Sequence, residues 1–164
     1  VGTGAGFPGI VAKIYKPDLE LTLMEPTGKR VDFLRYACAE LGLTGVEFAK
    51  ERAEEAARKI WREQFDVASA RAVAALPVLC EYCLPLAKKG GQFIALKGSR
   101  FAEEIEEGEA AVKILGGKII SAEPVKLPGL DDGRAIIKIA KIKATPAQYP
   151  RKAGTPEKQP LGSR

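Results

Sequence analysis

A glycine-rich loop, Gly2-Thr3-Gly4-Ala5-Gly6-Phe7-Pro8-Gly9, stands at the head of the sequence and constrains the fold more than any other segment. Glycine accepts positive φ and lets backbone come close to a ligand. Loops of this kind run from a buried strand into a helix whose N-terminus favours negative charge. The chain is therefore expected to be α/β, with the loop at the edge of a sheet. Only Val1 is available to the strand that should feed the loop. The expectation is that at least one strand precedes residue 1 in the intact protein, and that without it the sheet has two unpaired inner edges and poor stability.

After the loop, strand and helix patterns alternate. Residues 10–16 read as a short helix stopped by Pro17, and 19–25 (LELTLME) as a strand with leucines at period two. Residues 29–41 carry one apolar stripe closed by Gly42. A strand at 46–49, a charged helix at about 51–61, a strand at 65–70 and a helix at 76–87 follow. Lys88 to Gly91 should turn into a strand at 92–97, with a helix after it at 101–115. Residues 118–125 and 134–142 read as two strands joined through 127–133. No helix fits between them, so this pair should be an antiparallel hairpin. Repeated strand–helix units imply a parallel sheet with helices on both faces. From Ala144 onward there are four prolines and few apolar residues, which predicts an extended arm outside the core. The expected division is a domain over 1–143 and a basic, proline-rich arm over 144–164.

Composition narrows the chemistry. The 164 residues, 46% hydrophobic and 29% charged, suit one ordinary globular domain. No apolar run approaches the roughly 20 residues a membrane helix needs, and no signal peptide opens the chain, so a cytoplasmic protein is expected. There is no histidine, which excludes Ser-His-Asp and Cys-His machinery and an imidazole base. Three cysteines make no disulfide framework. Cys80 and Cys83 form a C-x-x-C on a predicted helix, but with no second pair and no histidine they read as buried small hydrophobes, and no metal is expected. The net charge of +5 is uneven: Arg134 to Arg164 holds eight basic residues against one acid, Glu157. Such asymmetry suits a nucleic-acid partner, with a solubilising tail as the structural alternative.

Gly4-x-Gly6-x-x-Gly9 satisfies the dinucleotide fingerprint, and Gly2-x-Gly4-x-Gly6 the tighter loop of S-adenosylmethionine (SAM) methyltransferases. The loop alone cannot choose. Glu25 ends the next strand, 21 residues after Gly4, where a carboxylate reaches ribose hydroxyls in nucleotide-binding α/β folds; a solvated strand-end charge is the alternative. The terminal hairpin tips the reading toward SAM. A dinucleotide fold of two similar halves has no reason to end antiparallel, whereas the class I, Rossmann-like SAM-methyltransferase sheet does.

The stretches VGTGAGFPGI, TGKRVDFL, RAEE, FDVASARAVAAL, LPLAKKGGQFIALKG and YPRKAGTPEKQPL, in this order, resemble the RsmG (GidB) family over essentially the whole chain. The resemblance implies a 7-methylguanosine methyltransferase acting in the 530 loop of 16S ribosomal RNA. SAM would be the methyl donor and S-adenosylhomocysteine the product, with the small subunit or its precursor as partner and a monomer as the working form. Departing from the family, the helical N-terminal segment and first strand are absent from the sequence. It further implies SAM-loop roles for Gly2 and Phe7, with Gly4 and Gly6 completing the loop. Glu25, Pro26 and Thr27 would lie on the ribose and Ala53-Glu54 by the adenine. Arg71, at the carboxyl edge of its strand, would belong to the cofactor or substrate site, with an ion pair as the bland alternative. Lys97, in ALKG, is a candidate for RNA phosphate or guanine O6. Lys29, Arg30, Arg151 and Lys152 are phosphate candidates, which position without specifying.

Guanine N7 carries an in-plane lone pair, so its methylation removes no proton and needs no base. Arg71 and Lys97 are accordingly expected to position RNA rather than transfer protons. In A-form RNA the major-groove edge is too deep for side chains, so the target guanine should be looped out. Two other functions remain open on the sequence: an NAD-dependent oxidoreductase using the same loop, and a non-catalytic RNA-binding protein on a methyltransferase scaffold.

Overall fold

The computed structural model describes residues 1–162. In chain order the elements are α1 (Gly9–Tyr15), β1 (Leu21–Met24), α2 (Gly28–Glu40), β2 (Val46–Ala49), α3 (Ala53–Ala56), β3 (Phe65–Arg71), α4 (Leu76–Cys83), β4 (Ala87–Lys97), α5 (Phe101–Ile114), β5 (Gly117–Leu127), β6 (Leu130–Lys141) and α6 (Thr155–Lys158). No helix is long and apolar enough to cross a membrane among the described residues.

The strands form a parallel pair, β1–β2, and a four-stranded sheet in the order β3-β4-β6-β5. β3 and β4 are parallel, and β6 runs antiparallel to both β4 and β5. Consecutive residues of a strand point to opposite faces, and β1 shows what each face meets. Leu23 packs with Ile10, Leu34 and Cys38 from α1 and α2, while Met24 joins the large cluster built from α4, α5 and the main sheet. Helices therefore cover both faces. Phe93, Ala95, Ile137 and Ile139 form the centre of the large cluster.

The two sheets meet at the head of the chain. Val1 N donates to Ser69 O of β3 (2.7 Å), and Gly2 N–H to Met24 O of β1 (2.9 Å). Below these contacts an apolar groove of about 390 Å³, lined by residues such as Leu21, Val67 and Ile94, runs between the facing strand edges.

Several boundaries differ from the pattern reading. α4 stops at Cys83 because Pro85 cannot extend the hydrogen-bond ladder, so residues 84–87 are not helical. β4 starts at Ala87: Lys88 to Gly91 is a bulge, between the pairs Phe65↔Ala87 and Val67↔Gln92. A Cβ on Gly91 would lie 2.6 Å from Asp66 O, so the bulge needs glycine. The hairpin strands run on to Leu127 and Leu130 and turn at Pro128-Gly129, with Gly129 at φ +76°.

The charged helix expected over 51–61 is one turn, α3. Tertiary contacts take the rest: Trp61 Nε1–H donates to Glu51 Oε1 (3.0 Å), and Glu63 adopts φ +52°.

The largest correction concerns the tail. Residues 144–162 are a strap packed on the domain, with Thr145, Pro150, Pro156 and Leu161 buried; Ser163 and Arg164 lie outside the described residues. Arg62 donates to the carbonyls of Thr145 (2.7 Å) and Tyr149 (2.8 Å). Glu63 accepts from the Thr145 N–H (2.7 Å) and from the buried Lys141 ammonium (2.9 Å), which also donates to Leu84 O and Ala87 O. Burial alone would raise the Glu63 carboxyl, but the Thr145 N–H and Lys141 outweigh it and hold it below its ordinary range. Hydrogen bonds anchor the strap together with apolar contacts, Leu161 and Tyr149 packing into the large cluster.

Candidate functional site

At the carboxyl ends of β1, β2 and β3 a cleft of about 300 Å³ opens between the glycine loop and the strap. This edge is where open α/β sheets hold ligands. Glu25, just past β1, is buried and accepts N–H groups from Gly4 (Oε2, 3.1 Å) and Thr27 (Oε1, 3.1 Å), with Arg30 Nη1 at 3.6 Å. An ionised carboxylate has about four lone-pair sites, so Glu25 retains acceptor capacity for hydroxyls. Pro26, Thr27, Ala53 and Glu54 line the same cleft.

The glycines divide by role. Gly2 lines the cleft at φ +59°, and a Cβ there would lie 2.7 Å from Val73 Cγ2. Gly4 presents its N–H to Glu25 and borders a neighbouring hollow with Lys29, Arg30, Phe33 and Arg71. Gly6 is buried, and its missing side chain makes room for Ile10, whose Cδ1 would be 2.3 Å from a Cβ. It serves helix packing rather than the ligand surface.

Arg71, the last residue of β3, lays its guanidinium over the Phe7 ring, 4.6 Å from the centroid, in a cation–π contact. Both side chains are exposed, with Lys29 and Arg30 also exposed on α2 beside them. Together they make an open cationic rim. Ala72, next in the chain, holds φ +52° and borders the cleft, the Lys29/Arg30 hollow and a further hollow beside the hairpin. Positive φ on a non-glycine residue is strained and clusters at functional sites.

Two RNA candidates are spent inside the fold. Lys97 is 7% exposed; its ammonium donates to Ala74 O (2.9 Å) and pairs with Glu104 Oε2 (2.6 Å), which also accepts the Leu76 N–H at the start of α4. It pins the turn after Arg71 and is not free for phosphate. Arg151 forms a bidentate pair with the fully buried Glu81 (Nε–Oε1 3.0 Å, Nη2–Oε2 2.7 Å) and is likewise engaged. A buried carboxylate demands such a partner. Lys152 stays exposed.

Residues that pattern did not single out complete the cleft: Glu51, Arg52, Val73, Tyr82 and Glu157. Tyr82 O–H donates to Glu157 Oε1 (3.0 Å). The Gly154 N–H donates to Glu54 Oε1 (3.2 Å). No local signal marked Tyr82, and Glu157 sat in a segment read as an arm. Cys80 and Cys83 are fully buried, and burial pushes the Cys83 thiol up to about 12. Among the described residues no cluster of three or more His, Cys, Asp or Glu could hold a metal.

The fit to a SAM-sized ligand rests on three features. Thr3 Oγ1, where the glycine loop borders the adjoining hollow, is buried without a hydrogen-bond partner in the chain. Gly2 keeps its edge of the cleft free of a side chain. Glu25 has lone pairs to spare.

The fold is that of the class I, SAM-dependent methyltransferases. The chain of the antibiotic-resistance methyltransferase Kmr superposes with a TM-score of 0.66 at 16% identity, covering 88% of this chain and 86% of that one. The family described as GidB, rRNA small subunit methyltransferase G, matches residues 1–128. "Ribosomal RNA small subunit methyltransferase G" of Exiguobacterium sibiricum is 52% identical over 163 residues, spanning 99% of this chain and 68% of that protein. The protein of that name from Lactobacillus acidophilus is 49% identical over 162 residues, spanning 98% and 68%. The chain belongs to the GidB (rRNA small subunit methyltransferase G) family, and the NAD-dependent alternative falls with that membership.

Proposed function

We propose that this protein transfers a methyl group from SAM to N7 of a guanine in the 530 loop of 16S ribosomal RNA. The observation that carries the reading is the junction at Ala72, where a cleft built around a buried carboxylate adjoins a cationic rim containing no base. SAM supplies a methyl carbon activated by the sulfonium it sits on. Glu25 holds the ribose hydroxyls, the glycine loop with the Thr3 hydroxyl holds the amino-acid end, and Ala53 and Glu54 flank the adenine. Lys29, Arg30 and Arg71 neutralise phosphates and fix the RNA. The Phe7 ring gives a base a surface to stack on. Because N7 attacks through a free lone pair, the chain has only to align donor and acceptor, and the lack of histidine costs nothing. Lys97 positions the turn that follows Arg71 and contributes to alignment through the backbone.

The test combines the protein, methyl-labelled SAM and small subunits lacking the modification, followed by borohydride–aniline cleavage, which cuts RNA at 7-methylguanosine. One new cut in the 530 loop is expected. Label without that cut overturns the N7 assignment. RNA binding with no label transferred indicates a binding protein on this scaffold.

A further inference from the structure

The strap carries more than its own packing. Arg62, Glu63 and Glu81 hold it to the domain, and two more bonds bring it to the cleft. The Gly154 N–H reaches Glu54, and Glu157 meets the Tyr82 hydroxyl; Glu54, Tyr82 and Glu157 all line the cofactor cleft. Burial, then the nearby Glu54 and Glu157 charges, push the Tyr82 phenol far above its ordinary value, so it stays protonated and donates. Glu157 can only accept, and one N–H or O–H donor leaves its carboxylate with free lone pairs facing the cleft.

A SAM-sized ligand offers donors at its ribose hydroxyls, its α-ammonium and the amine of its adenine. Glu25 and the glycine loop take the first two. The amine is the donor left for the wall that contains Ala53, Glu54, Tyr82 and Glu157. We propose that Glu157, held by Tyr82, accepts a hydrogen bond from the adenine amine and makes the C-terminal strap part of the cofactor site. The inference rests on the cleft's being the SAM site.

The test is calorimetric binding of S-adenosylhomocysteine and its 6-oxo analogue, S-inosylhomocysteine, to the wild type, Glu157→Gln and Tyr82→Phe. Wild type should prefer the adenosyl ligand by about tenfold or more, since a carboxylate repels the 6-oxo group. Glu157→Gln, whose amide can donate to that oxygen, should bring the two ligands within about threefold of each other. Tyr82→Phe should weaken the adenosyl ligand a few-fold, about two to five, while keeping the preference. Glu157 is exposed, so its substitution leaves the core intact. If Glu157→Gln keeps the wild-type preference, the proposal is wrong and the strap merely covers the cleft. If wild type binds neither ligand, the SAM assignment of the cleft fails with it.

Discussion

Glu25 accepts N–H groups from both Gly4 and Thr27 while lining the cleft, so one carboxylate shapes both the loop and the proposed ligand surface. Replacing it by Ala is expected to weaken SAM by about 10- to 100-fold, the worth of one or two hydrogen bonds to a charged group. Thr3 allows a sharper separation. Its hydroxyl is buried without a partner, so Thr3→Val should raise the melting stability of the ligand-free protein by about 1 kcal/mol and lower SAM affinity. A melt and a titration check this, and a variant that loses stability would mean the hydroxyl has a role in folding. Gly2→Ala meets both Val73 and an unfavourable φ, and should abolish SAM binding at concentrations that saturate wild type. Arg71→Ala should weaken RNA binding without introducing a new pH dependence in the rate, because the guanidinium positions and moves no proton.

The elements were legible where their cause is local. Leu19, Leu21 and Leu23 at period two, the stop at Pro17 and the stripe of residues 29–41 all carry their own instructions. Pro128-Gly129 was an available turn signal, and strands on either side run right up to it. The strap was opaque because nothing in it alternates. Its fixings are side chains such as Arg62 and Glu63 reaching it from some 80 residues away. Lys97 and Arg151 misled for the same reason: a basic residue in the sequence does not announce the half-buried Glu104 or the buried Glu81 that claims it.

One prediction belongs to the strap. The Glu63 carboxyl is held below its unfolded value, so its contribution is fully present above the unfolded carboxyl range. It is lost as pH falls through the folded value. Glu63→Gln should cost about 2 kcal/mol at neutral pH by leaving Lys141 buried without a counter-charge. It should also flatten the fall in stability below about pH 4.5. Denaturant melts across that range read both effects, and an unchanged acid slope would show that Glu63 does not set it.

Across the whole molecule, charge and architecture divide the work. The exposed cations proposed to meet RNA, Lys29, Arg30 and Arg71, gather at one mouth of the cleft, and Lys152 is exposed on the strap, whereas Lys97 and Arg151 are internal ties. RNA affinity should fall with salt, and neutralising each of the three should lower the slope of log K against log salt by about 0.7 to 0.9. The same substitution at Arg151 would instead cost stability, since it strands Glu81. Rossmann-like architecture with an antiparallel end was readable from the order of elements. That the cleft closes with the far end of the chain was not, because only folding brings residue 157 beside residue 82.

Trp61 gives this arrangement a voice. It is the sole tryptophan, stacked on Phe65 at 5.5 Å, and its indole N–H is bonded to Glu51, a residue of the cleft wall. Its neighbour Arg62 grips the strap. The protein thus carries a single tryptophan tied to the cleft wall on one side and, through the next residue, to the C-terminal segment on the other. Emission excited at the indole band is therefore expected to change with occupancy of the cleft and with seating of the strap, which a titration of the unlabelled protein with S-adenosylhomocysteine checks.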